Sequence, residues 1–169
     1  ITTMTPETTG EDYGKLKIRK AVTVNNPGIG FDSDQDTFKF NITLKDAKDD
    51  YSYKKYNSEG KLIEQNLIIW DGGSFTLKNG QYIIIDNLPV GTEYTITEEN
   101  SAKKVFETDS EGTITREEPS QYDYFTDVSI NNTPAGNGDL TDNKIASGII
   151  ESIASGQMAE VLYTNKFYV

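Results

Sequence analysis

Residues Leu88–Glu99 read LPVGTEYTITEE. Pro89 and Gly91 are turn residues, and they deliver the chain into a stretch where Tyr94, Ile96 and Glu98 alternate with Thr95, Thr97 and Glu99. A period of two is the pattern of a β-strand, whose successive side chains point to opposite faces. The same period recurs on either side. Phe38, Phe40, Ile42 and Leu44 alternate with Lys39, Asn41 and Thr43, and further strands are expected over Lys15–Val24, Leu62–Trp70, Ser74–Lys78 and Gln81–Asp86. Asn79-Gly80 predicts a hairpin between the last two, because both turn positions tolerate positive φ. Val105–Thr108 and Thr113–Arg116 flank a turn at Ser110-Glu111-Gly112, Tyr122–Asn131 reads as another strand, and Ala159–Val169 closes the chain as one more. Residues 142–156 fit either a short helix or strands with a loop. Ile145, Ile149, Ile150 and Ile153 have helical spacing, with Asp142 as N-cap and Gly156 as stop, but Ser147 and Gly148 interrupt it. Short strands with turns this frequent predict an all-β sandwich of roughly seven to ten strands.

Residues 1–14 (ITTMTPETTGEDYG) are rich in Thr, Glu and Gly and have no apolar period, so they are expected to be a linker from a preceding domain. Residues 15–169 are expected to form one domain, a length sufficient to enclose a core. Ten Tyr, seven Phe and one Trp make the chain too aromatic for disorder. A net charge of -11 repels phosphate backbones and anionic lipid headgroups, so neither nucleic acid nor a membrane surface is an expected partner. With no Cys and no His, disulfides, ordinary zinc sites and histidine-based nucleophilic catalysis are excluded.

Three strands carry a polar residue on the apolar face. Lys20 shares parity with Leu16, Ile18, Val22 and Val24; Glu98 with Tyr94 and Ile96; Asn165 with Val161, Tyr163, Phe167 and Val169. Burying an unpaired ammonium or carboxylate costs several kcal/mol, so such groups pair, neutralise or react. Ordinary pairing is open to them. A lysine at a sheet edge can extend its amine to water, an asparagine can satisfy backbone groups, and Glu98 can be the end of its strand. Reaction is also open. An apolar interior favours the neutral amine, which is a nucleophile, and the neutral acid. Glu98 could polarise the Asn165 carboxamide while Lys20 attacks, then pass a proton to the departing ammonia.

The stretches KLKIRKAVTV (Lys15–Val24), LPVGTEYTITEE (Leu88–Glu99) and VLYTNKF (Val161–Phe167) resemble the Cna-B-type domains of Gram-positive pilins and surface adhesins. FKFNITL (Phe38–Leu44) and GSFTL (Gly73–Leu77) stand where that family carries its second strand and the strand before its LPxG turn. The resemblance implies an inverse immunoglobulin-like sandwich in a secreted, cell-wall-anchored protein, used as a stalk or pilus shaft module. It implies neighbouring domains of the same surface protein or pilus as partners. It also implies an intramolecular isopeptide bond, with Lys20 as amine donor, Asn165 as acceptor and Glu98 as the proton shuttle. Such a bond is a single-turnover self-crosslink, not enzymatic turnover, and requires no cofactor. The stretch from Thr113 to Ala159 is longer than the family pattern, and the sequence contains no LPxTG sorting signal.

Other readings are weaker. Asp32, Asp34 and Asp36 open like a calcium loop but lack the glycine and final Glu at the required spacing, which leaves a solvated acidic turn and no expected metal. A carboxylate-pair glycosidase would need a second buried acid beside Glu98, and none is visible in the pattern. An adhesin module binding a host protein or glycan through its loops is the alternative function, and nothing in the loops identifies the ligand.

Overall fold

The computed structural model describes residues 13–24, 37–45, 47–99, 104–108, 110–111, 114–119, 124–135, 145–152 and 158–167. The linker expected over 1–14 falls almost entirely outside them, as do Asp32, Asp34 and Asp36. Among the described residues thirteen strands run in chain order: β1 (Tyr13–Val24), β2 (Thr37–Leu44), β3 (Tyr51–Tyr56), β4 (Leu62–Ile69), β5 (Ser74–Lys78), β6 (Tyr82–Pro89), β7 (Glu93–Glu98), β8 (Lys104–Thr108), β9 (Ile114–Pro119), β10 (Tyr124–Ile130), β11 (Thr133–Ala135), β12 (Ile145–Ile149) and β13 (Ala159–Phe167). One sheet has the order β11-β10-β13-β1-β6-β3-β4, the other β12-β7-β2-β5, and β8 and β9 pair separately as a hairpin. The first and last strands lie side by side and parallel, Lys20 opposite Tyr163 and Val22 opposite Asn165.

The alternation read from the sequence is the alternation of burial. In β2, Phe38, Phe40, Ile42 and Leu44 are buried while Thr37, Lys39 and Thr43 are exposed. Leu16, Ile18, Ile83, Ile85, Val161 and Tyr163 of the larger sheet join Phe40, Ile42, Leu77, Tyr94 and Ile96 of the smaller one in a single core. Phe40 stacks on its strand neighbour Phe75 within the smaller sheet, centroids 5.3 Å apart, and meets Tyr163 of the larger sheet edge-on at 5.1 Å, an aromatic contact that ties the two layers together.

One expectation is corrected and one open alternative is decided. Asn79-Gly80 does not make a hairpin, because β5 and β6 belong to different sheets. Gly80 alone takes positive φ (82°), and Gln81 N–H donates to the Lys78 carbonyl oxygen at 3.0 Å, a type II turn that carries the chain across the sandwich. The turn docks on β1 instead: Val22 N–H donates to Asn79 Oδ1 and Gly80 N–H to the Lys20 carbonyl oxygen. The helix considered for 142–156 is also not formed where the chain is described, since 145–149 is the strand β12, paired with β7. Its burial has period two. Ala146 and Ile150 are buried whereas Ile145 and Ile149 are exposed, and Gly148 lies against the Tyr94 hydroxyl with no room for a Cβ. Asp142, Ile153 and Gly156 lie outside the described residues.

Candidate functional site

Lys20, Glu98 and Asn165 are 0%, 2% and 1% exposed. Each reaches the interior for the reason parity gave: it occupies an inward position of a strand whose neighbours on that face are core residues. Lys20 on β1 and Asn165 on β13 are diagonal neighbours on adjacent parallel strands, one inward position apart in register. Glu98 faces them from β7 in the opposite sheet, where its register partner on β2 is Phe40. Lys20 Nζ donates to Glu98 Oε2 at 2.6 Å and sits 4.4 Å from the centroid of the Phe38 ring. A charge-assisted contact this short, closed off from water, is a strong hydrogen bond.

The fourth member of the site is Thr126, 0% exposed on β10 and directly opposite Asn165 in the β10–β13 register. Its hydroxyl donates to Asn165 Oδ1 at 2.8 Å, and its oxygen stands 3.4 Å from Glu98 Oε1. The hydrogen bond at the carboxamide oxygen thus comes from a threonine that does not figure among the residues expected from parity, whereas Glu98 is expected there as the polarising group. Its signal was available: Thr126 has the parity of Val128 and Ile130, a hydroxyl on an apolar face. At the other end of the carboxamide, Asn165 Nδ2 is buried and has no hydrogen-bond partner among the described residues. Tyr163 completes the surroundings. Its hydroxyl donates to the Ile96 carbonyl oxygen at 2.6 Å, binding β13 to β7 two residues from both Asn165 and Glu98. Burial first, and then the Glu98 charge, push the Tyr163 phenol far above its ordinary range, so it remains a donor.

A sequence model described as a domain of unknown function, DUF7601, matches residues 14–152. The chain belongs to the DUF7601 family. The family match ends before β13, so Asn165 lies outside it while Lys20, Glu98 and Thr126 lie within. No curated protein sequence matches this DUF7601 domain. Among solved structures it is similar to the major pilin of Streptococcus pyogenes, with TM-score 0.62 and 22% identity over 94% of this chain and 49% of the pilin. The T3.2 major pilin of the same organism gives 0.56 and 22% over 92% of this chain and 45% of that one. A pilus-presented adhesin gives 0.52 and 17% over 96% of this chain and 29% of the adhesin. The DUF7601 domain therefore has the immunoglobulin-like sandwich fold found in pilins and pilus adhesins, and it spans about half the length of the major pilins it matches.

Proposed function

We propose that this DUF7601 domain is a stalk or shaft module of a cell-wall-anchored surface protein or pilus, and that it closes itself with an isopeptide bond between Lys20 and Asn165, promoted by Glu98. The observation that carries the reading is the 2.6 Å contact of Lys20 Nζ with Glu98 inside a site where all three residues are at most 2% exposed. Transfer of the proton to Glu98 frees the amine to attack Asn165 Cγ. The nitrogen that must leave is Nδ2, the one polar atom of the carboxamide with no partner among the described residues. A buried donor in that state costs about 1–3 kcal/mol, and its departure as ammonia removes the cost. Holding amine, acid and carboxamide in one interior supplies an effective molarity worth roughly 7–11 kcal/mol of the barrier. Folding does the work of a catalyst.

The topology suits load bearing. β1 and β13 are parallel, so pulling the chain from the start of one and the end of the other shears their ladder as a unit. A covalent tie from Lys20 to Asn165 carries that force past the intervening strands, as a disulfide would in a chain that had cysteines. The test is the intact mass of the purified domain. A deficit of one ammonia is expected, with a Lys20–Asn165 linked peptide pair after digestion. Lys20→Ala should have the full sequence mass, and Glu98→Ala should lose the deficit or acquire it far more slowly. A wild-type domain at its full sequence mass would sink the crosslink.

A further inference from the structure

We infer that Thr126 is the oxyanion donor of the crosslinking reaction, an assignment that rests on the Lys20–Asn165 reading above. Its hydroxyl carries one hydrogen, and the 2.8 Å contact directs it to Asn165 Oδ1. That oxygen is where charge develops when the amine adds. As Lys20 Nζ bonds to Asn165 Cγ, the carbonyl π pair moves onto Oδ1, and the Thr126 hydrogen bond strengthens in the tetrahedral intermediate. Glu98, holding the proton it took to free the amine, delivers it to Nδ2 and takes a second from Nζ; the Cγ–Nδ2 bond then breaks, the pair on Oδ1 reforms the carbonyl, and ammonia leaves. Atoms balance as amine plus carboxamide giving substituted amide plus ammonia, with no change of oxidation state.

Three features make Thr126 suited to this role. The contact falls in the range of preorganised oxyanion donors, and at 0% exposure no water competes for either partner. Direct pairing of Thr126 with Asn165 in the antiparallel ladder fixes the two backbones, and a β-branched side chain has few rotamers to lose. The same bond orients the carboxamide: with Oδ1 held by Thr126, Nδ2 is the end left to depart. Glu98 and Thr126 thus divide the chemistry, one moving protons and the other stabilising the oxygen, although their side chains stand only 3.4 Å apart.

The experiment is cell-free synthesis of the whole chain, quenched at intervals and followed by intact mass, for wild type, Thr126→Val, Thr126→Ser and Thr126→Ala, with circular dichroism of each product. Loss of the hydroxyl should slow ammonia release on the order of 100-fold or more, while Thr126→Ser stays near wild type. Serine and alanine differ there by the hydroxyl alone, so that pair carries the comparison even if the valine variant does not fold. The pH dependence of the slow variants should parallel that of wild type, since the Lys20–Glu98 proton transfer is untouched; a purely structural role predicts no split between serine and alanine. Folded Thr126→Val or Thr126→Ala crosslinking at the wild-type rate overturns the assignment and leaves the bond standing. A wild-type chain that never loses ammonia overturns the underlying reading instead.

Discussion

Lys20 Nζ on β1 and Glu98 Oε2 on β7 meet at 2.6 Å across the sandwich, with side chains 0% and 1% exposed. Such a pair gains Coulomb energy only after each group has lost its hydration, so its net contribution to stability is small while its removal from one side is costly. The pair can be read as a stabilising contact or, on the function proposed above, as the proton relay of the crosslink.

A double-mutant cycle on that pair separates the two. Lys20→Met, Glu98→Leu and the double variant all lack the proposed crosslink, which for a loop from residue 20 to residue 165 is worth about 4–5 kcal/mol in the chain-entropy model. All three should therefore be less stable than wild type. Within the set, the double variant should exceed Glu98→Leu by about 3 kcal/mol, because the single variant keeps an amine in the core without this carboxylate. Urea denaturation measures both differences; a double variant no more stable than Glu98→Leu would show that the ion pair is not isolated from water.

Alkaline pH should find the tyrosines. The Tyr163 phenol is raised above its ordinary 10.0 by burial and then by Glu98, and Tyr94 is raised by burial and then by Glu151. The folded state therefore keeps protons that the unfolded chain releases. This leaves stability unaffected below the ordinary value and erodes it as pH rises beyond, by about 1.4 kcal/mol per pH unit for each such group. Tyr163→Phe should lose about 1 kcal/mol at neutral pH with the bond to Ile96, and should show a shallower alkaline decline by one proton. An unchanged slope in stability measured against pH would contradict the burial of that phenol.

Gly148→Ala should destabilise the domain by about 1–3 kcal/mol, since a Cβ there overlaps the hydroxyl and ring of Tyr94, which is 2% exposed. Gly14→Ala should cost at least as much. Its Cβ would overlap the Glu151 carbonyl oxygen, a backbone atom that cannot rotate away. Thermal melts of the two variants check the order, and a neutral Gly14→Ala would mean that β1 does not seat against 150–151 as described.

Phe40→Ala should cost about 3–5 kcal/mol, because the ring is fully buried against Phe75 and Tyr163. It also pairs in register with Glu98, so the resulting cavity adjoins the site. Crosslinking by intact mass should be slower than in wild type as water gains access to the ion pair. Crosslinking at an undiminished rate would show that desolvation by this ring does not matter to the reaction.

Much of the site was legible before any coordinates. Lys20, Glu98 and Asn165 stood out because each interrupts an apolar face, and parity along a strand is a local property. Thr126 escaped notice because a threonine is common in strands and raises no suspicion on either face. β3 escaped for a related reason: its buried face consists of Tyr51 and Tyr53, flanked by Ser52 and Lys54, with no aliphatic residue to mark it. β12 has a helical spacing because Ile145 and Ile149 are four apart, yet both are exposed, 53% and 57%, and the inward-facing residues of the strand, Ala146 and Gly148, are small.

From the sequence alone came the period of two, the strand content, the exclusion of cysteine and histidine chemistry, and the three polar residues bound for the core. Each follows from chemistry that acts within a few residues along one strand. Only tertiary structure decided that β1 lies parallel to β13, that the Asn79-Gly80 turn crosses between sheets, and that Thr126 stands opposite Asn165. Strand neighbours are chosen by how whole faces pack against one another, and that choice is written in no single stretch of the chain.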